Sequence, residues 1–258
     1  MELLRRLGEK AIETVSQVKG GKKILEKNYF GHCSIRMDIC IENMVKREIR
    51  GMGIPLITEE RPERADNMGG NGMLILDPLD GSSNYATGYP AYSFAIAWAD
   101  REKPDFGDVQ ASLVLDLASG TEYSSLKSAG FFIGRKKAKP AKAVGKPPLI
   151  AGDFGANFYA AKKVFPKIAG FSYMRMLGAS TLDMALLARG ALDAYVDVMG
   201  KLLVTHTAGL ALMRDSGAIM TDAKGSEIDC PINQDTVYTV IAARKRGLHK
   251  RILGICSQ

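Results

Sequence analysis

Residues 77–97 open with Asp77-Pro78-Leu79-Asp80-Gly81-Ser82-Ser83-Asn84 and continue YATGYPAYSFAIA. The stretch follows directly on Gly72-Met73-Leu74-Ile75-Leu76, an apolar run of the length of a buried strand. A strand that ends in a sharp turn can aim several side chains at one point. Pro78 fixes φ and removes a donor, and Gly81 permits a tight backbone turn. Together they let the carboxylates of Asp77 and Asp80 and the Leu79 carbonyl converge on one ion instead of facing opposite sides. Gly81-Ser82-Ser83 offers amide N–H groups and hydroxyls, which make a phosphate cradle if a helix starts there. Oxygen ligands beside anion-binding amides are what metal-assisted phosphoryl transfer needs. Taken alone, the octapeptide reads equally well as a surface turn rich in Asp, Pro, Gly and Ser.

Upstream, the pattern predicts a helix over 2–28 and another from Asp38 to Arg50, where Ile39, Ile41, Met44, Val45 and Ile49 recur at helical spacing. Short strands are expected at 55–58, 72–76 and 93–99, then a run of strands over 110–133 punctuated by Gly120 and Gly130. The Lys/Pro/Gly-rich stretch 135–148 marks a boundary between an N-terminal half, 1–142, carrying the acidic and phosphate motifs, and a C-terminal half, 143–258, completing the site. In the second half the reading is a strand at 149–151, a helix at 155–168, a helix at 180–190 stopped by Gly190, and a strand at 194–198. A helix from Thr205 to Ser216 closed by Gly217 and a strand at 218–221 follow. Helices and strands mix without a regular βαβ rhythm or internal repeat, which favours a layered α/β sandwich over a barrel.

The composition is that of a soluble globular protein: 46% hydrophobic and 24% charged over 258 residues. No apolar run approaches the roughly 20 residues that span a bilayer. The opening MELLRRLGEKAIETVSQV alternates charge and apolar groups as an amphipathic helix does, not a secretory signal, so a cytoplasmic location is expected. Four cysteines without a C-x-x-C pair argue against zinc or a disulfide framework. With three histidines, a histidine-rich metal site is excluded; oxygen ligands must hold any metal, which points to Mg²⁺ or a similarly hard ion. Much of the +7 charge lies in Arg135–Lys142 and Arg244–Arg251, which lack interleaved aromatic residues. Both segments read as solvated surface that draws anionic metabolites, not as a nucleic-acid site.

The segment 77–97 resembles the signature of the inositol monophosphatase-like family, D-P-[ILV]-D-G-[TS]-x-N-[FY]-x-x-G-x-P. Glu59-Glu60 stands where that family has G-E-E, with Thr58 in place of Gly, and Ser34-Ile-Arg-Met-Asp38 resembles its earlier segment ending in Asp. Arg175-Met-Leu-Gly178-Ala179-Ser180 and Gly190-Ala-Leu-Asp-Ala-Tyr195 are similar to two further motifs, in order along nearly the whole chain. The resemblance implies an αβαβα sandwich of the sugar-phosphatase type and a lithium-sensitive homodimer. The implied activity is hydrolysis of a small phosphorylated polyol or sugar, inositol monophosphate or fructose 1,6-bisphosphate, by in-line attack of a metal-activated water. It also implies that Glu59, Asp77, the Leu79 carbonyl and Asp80 hold Mg²⁺ or Mn²⁺. Asp38, Glu59 and Ser82 would then handle the attacking water, and Gly81, Ser82 and Ser83 the phosphate. Arg175, Gly178, Ala179 and Asp197 would line the substrate pocket, although Arg175 reads equally well as an ordinary salt-bridge residue.

One departure from the family bears on the metal. The family's third acidic motif, W-D-x-A-A-G, falls on Val204-Thr205-His206-Thr207-Ala208-Gly209, so that Thr205 replaces the ligand Asp. Threonine suits a helix N-cap but brings no charge to a metal. Three readings stand open: a weakened second metal site; His206 entering as a ligand, which suits Mn²⁺ or Zn²⁺ better than Mg²⁺; or a member that binds a phosphometabolite with little turnover. On its own, His206 reads as a surface residue in the first helical turn.

Overall fold

A computed structural model describes residues 1–28, 33–60, 72–141, 147–152 and 162–256. Helix α1 (Glu2–Gln17) buries Leu4, Leu7 and Ala11, spaced by three and four residues along one face. The helix expected over 2–28 stops here. Gly20 takes a φ of 69°, and Gly21 packs so tightly that a Cβ would lie 2.5 Å from the Met37 side chain. The chain then turns into β1 (Ile24–Lys27), antiparallel to β2 (Cys33–Ile35). Helix α2 (Arg36–Glu48) follows and buries Met37, Ile41, Met44 and Val45.

Strands β3 (Leu56–Thr58), β4 (Met73–Asp80), β5 (Ser93–Ala99), β6 (Val109–Asp116), β7 (Glu122–Leu126), β8 (Gly130–Ile133) and β9 (Lys136–Lys137) form a seven-stranded sheet in chain order. Only the β3–β4 pair is parallel. Between β4 and β5 lies the short helix α3 (Ser82–Thr87). A five-stranded sheet, β11-β10-β12-β14-β13, is built from β10 (Leu149–Gly152), β11 (Tyr173–Arg175), β12 (Ala194–Leu203), β13 (Ile219–Thr221) and β14 (Val237–Ala243). Its helices are α4 (Phe165–Ala169), α5 (Ser180–Arg189), α6 (Thr207–Asp215) and α7 (Arg246–Cys256). The N-terminal part of the helix expected at 155–168 lies outside the described residues, as does the 142/143 boundary between halves.

The period-2 alternation of β4 sets the layers. Leu74 and Leu76 face α1 and α2, with Phe94, Ile96, Leu113 and Leu115. Ile75, with Ala95, Val114 and Tyr123, faces a central layer containing Leu182 and Ala185 of α5 and Leu210 and Leu212 of α6. The other side of that layer meets Ala151, Tyr195, Val240 and Ala242 of the second sheet. The outer face of the second sheet (Ile150, Ala194, Val196, Ile241) is covered by Ile168 of α4 and Ile252 of α7. This is the αβαβα sandwich. The two sheets share one core, so the halves are bound by burial worth about 1.5–3 kcal/mol for each fully buried large aliphatic side chain.

The basic segments divide. Arg135, Lys136, Lys137 and Lys139 are exposed, as expected. Arg244 is half-buried and donates to the carbonyls of Gly190 and Ala141, tying the start of α7 to the segment after β9. Among the described residues, no helix is long and apolar enough to cross a membrane.

Candidate active site

The site forms where β4 stops being regular. Asp77 pairs with Ala95 and Asp80 with Ser93, so the step from Asp77 to Asp80 carries one residue more than the opposing step on β5. In a regular strand, residues three apart face opposite sides; the bulge removes that alternation. Within it, the Leu79 amide donates to Asp77 Oδ1 at 3.2 Å, an Asx-type turn across Pro78. Asp77 Oδ2 and Asp80 Oδ1 then both approach one point, 3.7 and 3.9 Å from His206 Nε2. The parallel register of β3 on β4 pairs Thr58 with Leu76, which brings Glu59 level with Asp77 at the same strand ends.

Asp80 is held from a distant part of the chain. It accepts hydrogen bonds from the Ser180 and Thr181 amides at 3.1 and 2.7 Å and from Thr181 Oγ1 at 2.7 Å. Its charge therefore sits at the N-terminus of α5, where the helix dipole favours an anion. Asn84 secures the same junction, donating to the carbonyls of Leu177 at 2.6 Å and Ala91 at 2.7 Å. Glu59 receives a hydrogen bond from Asn28 at 2.7 Å. Behind it, Thr58, the residue standing where the family has Gly, donates to buried Glu42, which is ion-paired with Lys46 at 2.8 Å.

These carboxylates repel one another in a dry environment. Burial, then the charges of Glu59, Asp80, Asp38 and Glu60, holds Asp77 well above the ordinary carboxylate range. Asp38 is pushed up to about 8, mainly by burial; the Ile35 amide bond opposes this, and Glu60, Glu59 and Glu42 add to it. Glu60 rises to about 7, again chiefly from burial, with the nearby Ser34 and Asn28 side chains opposing the rise and Glu59 and Glu42 adding to it. Such a cluster calls for positive charge. The donor atoms of Asp77, Asp80 and His206 lie within 4.8 Å of one another, and the set, oxygen apart from one imidazole, fits a divalent ion.

Other expected residues take varied places. Gly81 has φ 80° and opens α3, so the helix start expected at the Ser82 hydroxyl is formed. Ser82 is half-buried and Ser83 exposed. Ser82 donates no hydrogen bond to Asp38; Asp38, in the first turn of α2, accepts from the Ile35 amide at 2.7 Å instead. Gly178 (φ 70°) and Ala179 lie against Gly81 and Asn84, and Asp197 is buried on β12. Arg175 is exposed on edge strand β11 and donates to the Met174 carbonyl.

Two expectations are corrected. Thr205 is not the N-cap of a helix: a 3₁₀ turn over Val204–His206 precedes α6, and Thr205 is fully buried inside it. Its hydroxyl has no hydrogen-bond partner among the described residues. His206 is not a surface residue, because the tighter turn swings its ring onto the two aspartates and leaves the side chain 12% exposed. Asn28, Glu42 and Thr181 carry no local signal as site residues; Ser180, Thr58 and Asn84 lie inside the family-like segments, but the sequence assigns them no role. Each acts through a partner remote in sequence.

Gly81→Ala tests the packing of this turn. A Cβ there would stand 2.7 Å from the Ala91 carbonyl and 3.0 Å from the Ala179 side chain, on a left-handed residue. The expected loss is about 1–3 kcal/mol of stability, read by denaturant unfolding. Wild-type stability in the variant would mean that the turn relaxes freely.

The sandwich, with its carboxylates gathered at one bulged strand end, defines a metal-dependent phosphatase, a phosphoric monoester hydrolase. Residues 36–258 match the inositol monophosphatase family, and the chain belongs to it. A fructose-1,6-bisphosphatase of Pyrococcus furiosus is 28% identical over 236 residues, 91% of this chain and 88% of that protein. A fructose-1,6-bisphosphatase/inositol-1-monophosphatase of Thermococcus kodakarensis is 24% identical over 96% of this chain and 92% of its own length. Among solved structures, an inositol monophosphatase-fructose 1,6 bisphosphatase matches with a TM-score of 0.85 over 98% of each chain, at 19% identity. A Pyrococcus horikoshii protein described as having similarities for inositol-1 monophosphatase gives 0.80 at 25% identity, over 97% of this chain and 96% of that one. Relatives named as phosphatases do not favour the reading of this chain as a binder with little turnover.

Proposed function

We propose that the protein hydrolyses the phosphomonoester of a small phosphorylated sugar or polyol, with fructose 1,6-bisphosphate and inositol 1-phosphate as its substrates, and that it works as a cytoplasmic homodimer. The observation that carries this reading is the convergence of Asp77 and Asp80 through the β4 bulge, next to the left-handed Gly81 that opens α3. The substrate names come from the relatives, two of which are named for fructose 1,6-bisphosphate.

Glu59, Asp77, the Leu79 carbonyl and Asp80 would hold the divalent ions, Mg²⁺ or Mn²⁺. Held there, a divalent ion would supply positive charge facing the ester phosphate and would lower the pKa of a bound water. The amides and hydroxyls of Gly81, Ser82 and Ser83 orient the phosphate, since free N–H groups at a helix start favour an anion. Asp38, raised to about 8 by burial, accepts a proton in the neutral range, and with Glu59 and the Ser82 hydroxyl it positions and deprotonates the attacking water. In this reading Gly178, Ala179 and Asp197 hold the rest of the substrate, Asp197 meeting a hydroxyl, and Arg175 shapes the leaving-group side. Water attacks phosphorus in line with the departing alkoxide, without a covalent enzyme intermediate.

The test is release of inorganic phosphate from inositol 1-phosphate and from fructose 1,6-bisphosphate, titrating Mg²⁺ and Mn²⁺. Metal-dependent turnover of either substrate is expected, and no release at any metal concentration would remove the reading. Light scattering checks the dimer.

A further inference from the structure

We propose that His206 is a nitrogen ligand of the cation position shared by Asp77 and Asp80, and that this position takes Mn²⁺ or Zn²⁺ in preference to Mg²⁺. The inference rests on the reading of the chain as a metal-dependent phosphatase and concerns which ion it selects.

The ring has a defined orientation. His206 Nδ1 lies 3.2 Å from the Leu203 carbonyl. A carbonyl only accepts, so Nδ1 carries a hydrogen, and Nε2 is the ring nitrogen on the side of the carboxylates, the one placed to bind an ion. A backbone carbonyl behind an imidazole is the usual support of a metal-ligating histidine. Nε2 stands 3.7 Å from Asp77 Oδ2 and 3.9 Å from Asp80 Oδ1. An imidazolium bonded to a carboxylate would close to about 2.7–2.9 Å, so no hydrogen bond joins these groups. Two donors bound to one ion at about 2.0–2.2 Å lie about 3 to 4.4 Å apart, depending on the angle between them. The observed spacings fall inside that interval. A cation shared by Nε2 and the two carboxyl groups accounts for spacings too long for direct hydrogen bonds.

The neighbouring residue supports the assignment. Thr205 falls on the family's acidic ligand when the motifs are matched without gaps, yet it is fully buried and its hydroxyl has no partner among the described residues. The 3₁₀ turn over Val204–His206 presents the next side chain in its place. The exchange removes one negative charge and adds a softer donor. Mg²⁺ prefers oxygen ligands and keeps its waters, whereas Mn²⁺ and Zn²⁺ accept imidazole. The position made by Glu59, Asp77 and the Leu79 carbonyl stays all-oxygen, so the two positions differ in the ion they suit.

The experiment uses the tag-free full chain, stripped by chelation and loaded with Mn²⁺, with pulsed electron paramagnetic resonance to detect nitrogen coupled to the metal. His206→Gln and His206→Asp are compared with His249→Gln, a control remote from the site that bonds to Thr221. Nitrogen coupling is expected in the wild type and the control, and its loss in both His206 variants, with circular dichroism reporting that they fold. Calorimetric titration should show the ratio of Mn²⁺ to Mg²⁺ affinity falling by about tenfold or more in His206→Asp. Absence of coupling in the wild type, its persistence in a His206 variant, or an unchanged affinity ratio would each overturn the assignment. Phosphate release is measured on the same preparations. No release with Mg²⁺, Mn²⁺ or Zn²⁺ defeats the phosphatase reading, whereas release without nitrogen coupling defeats only the role of His206.

Discussion

Asp77→Asn is expected to lower phosphate release by about 10³-fold or more while raising the melting temperature of the metal-free protein at pH 8. The two effects share one cause. Asp77 is buried beside Glu59, Asp80, Asp38 and Glu60, and burial and each of these charges disfavour its anion. That stored repulsion is what a divalent ion relieves, so a neutral amide removes both the attraction for the ion and the strain in its absence. Asparagine is close to isosteric, and its oxygen can still accept from the Leu79 amide that now donates to Asp77, so the turn across Pro78 survives. Loss of a group that holds the reacting charges typically costs several kcal/mol of transition-state stabilisation. Calorimetry in chelator and a phosphate assay in excess metal check the pair. Activity within tenfold of wild type would remove Asp77 from the ligand set. Lost activity together with a lower melting temperature would make its role structural.

The metal-free protein is also expected to lose stability as pH rises, and divalent metal to counteract the loss. In an unfolded chain Asp and Glu titrate near pH 4, but folding raises Asp38 to about 8 and Glu60 to about 7. Below about pH 4 both states hold these protons and the groups contribute no slope. Between about pH 4 and pH 8 the folded state binds more protons than the unfolded one, so stability falls as pH rises and levels off above the folded values. From pH 5.5 to pH 8 the two groups together account for on the order of 5 kcal/mol, or a drop of about 10 °C in melting temperature. Metal binding requires ionised carboxylates and releases their protons, so its stabilising effect grows over the same range. Melts at both pH values, in chelator and in saturating Mg²⁺ or Mn²⁺, should show a wide gap without metal and a narrow one with it. A melting temperature in chelator that is level or rises with pH would show that Asp38 and Glu60 ionise freely in the folded protein.

Much of this site was legible because its instructions are local. The Met73–Leu76 alternation sends Leu74 and Leu76 to one helical layer and Ile75 to the other, and that follows from the two-residue period of a strand alone. Pro78 and Gly81, two and five residues past the end of that run, announce a turn able to gather Asp77 and Asp80. Gly190 and Gly217 mark the ends of α5 and α6, since a glycine in the left-handed region ends a helix at little cost. The αβαβα layering and the phosphatase class followed from these features together with the resemblance they carry.

What was not legible depends on groups that meet only after folding. The pattern allows the first helix to run to residue 28, because amphipathic spacing says only where a helix can run. The tight approach of Gly21 to Met37 says where it must stop. Asp80 is anchored by Ser180 and Thr181, a hundred residues away, and nothing near Asp80 encodes that bond. The exchange of Thr205 for His206 is the clearest case. A sequence determines which side chains are available at the start of α6. Which of two adjacent side chains reaches Asp77 and Asp80 is set by winding: 3₁₀ and α turns differ by about 20° per residue, about one-sixth of a turn over three residues, and that winding belongs to the folded chain.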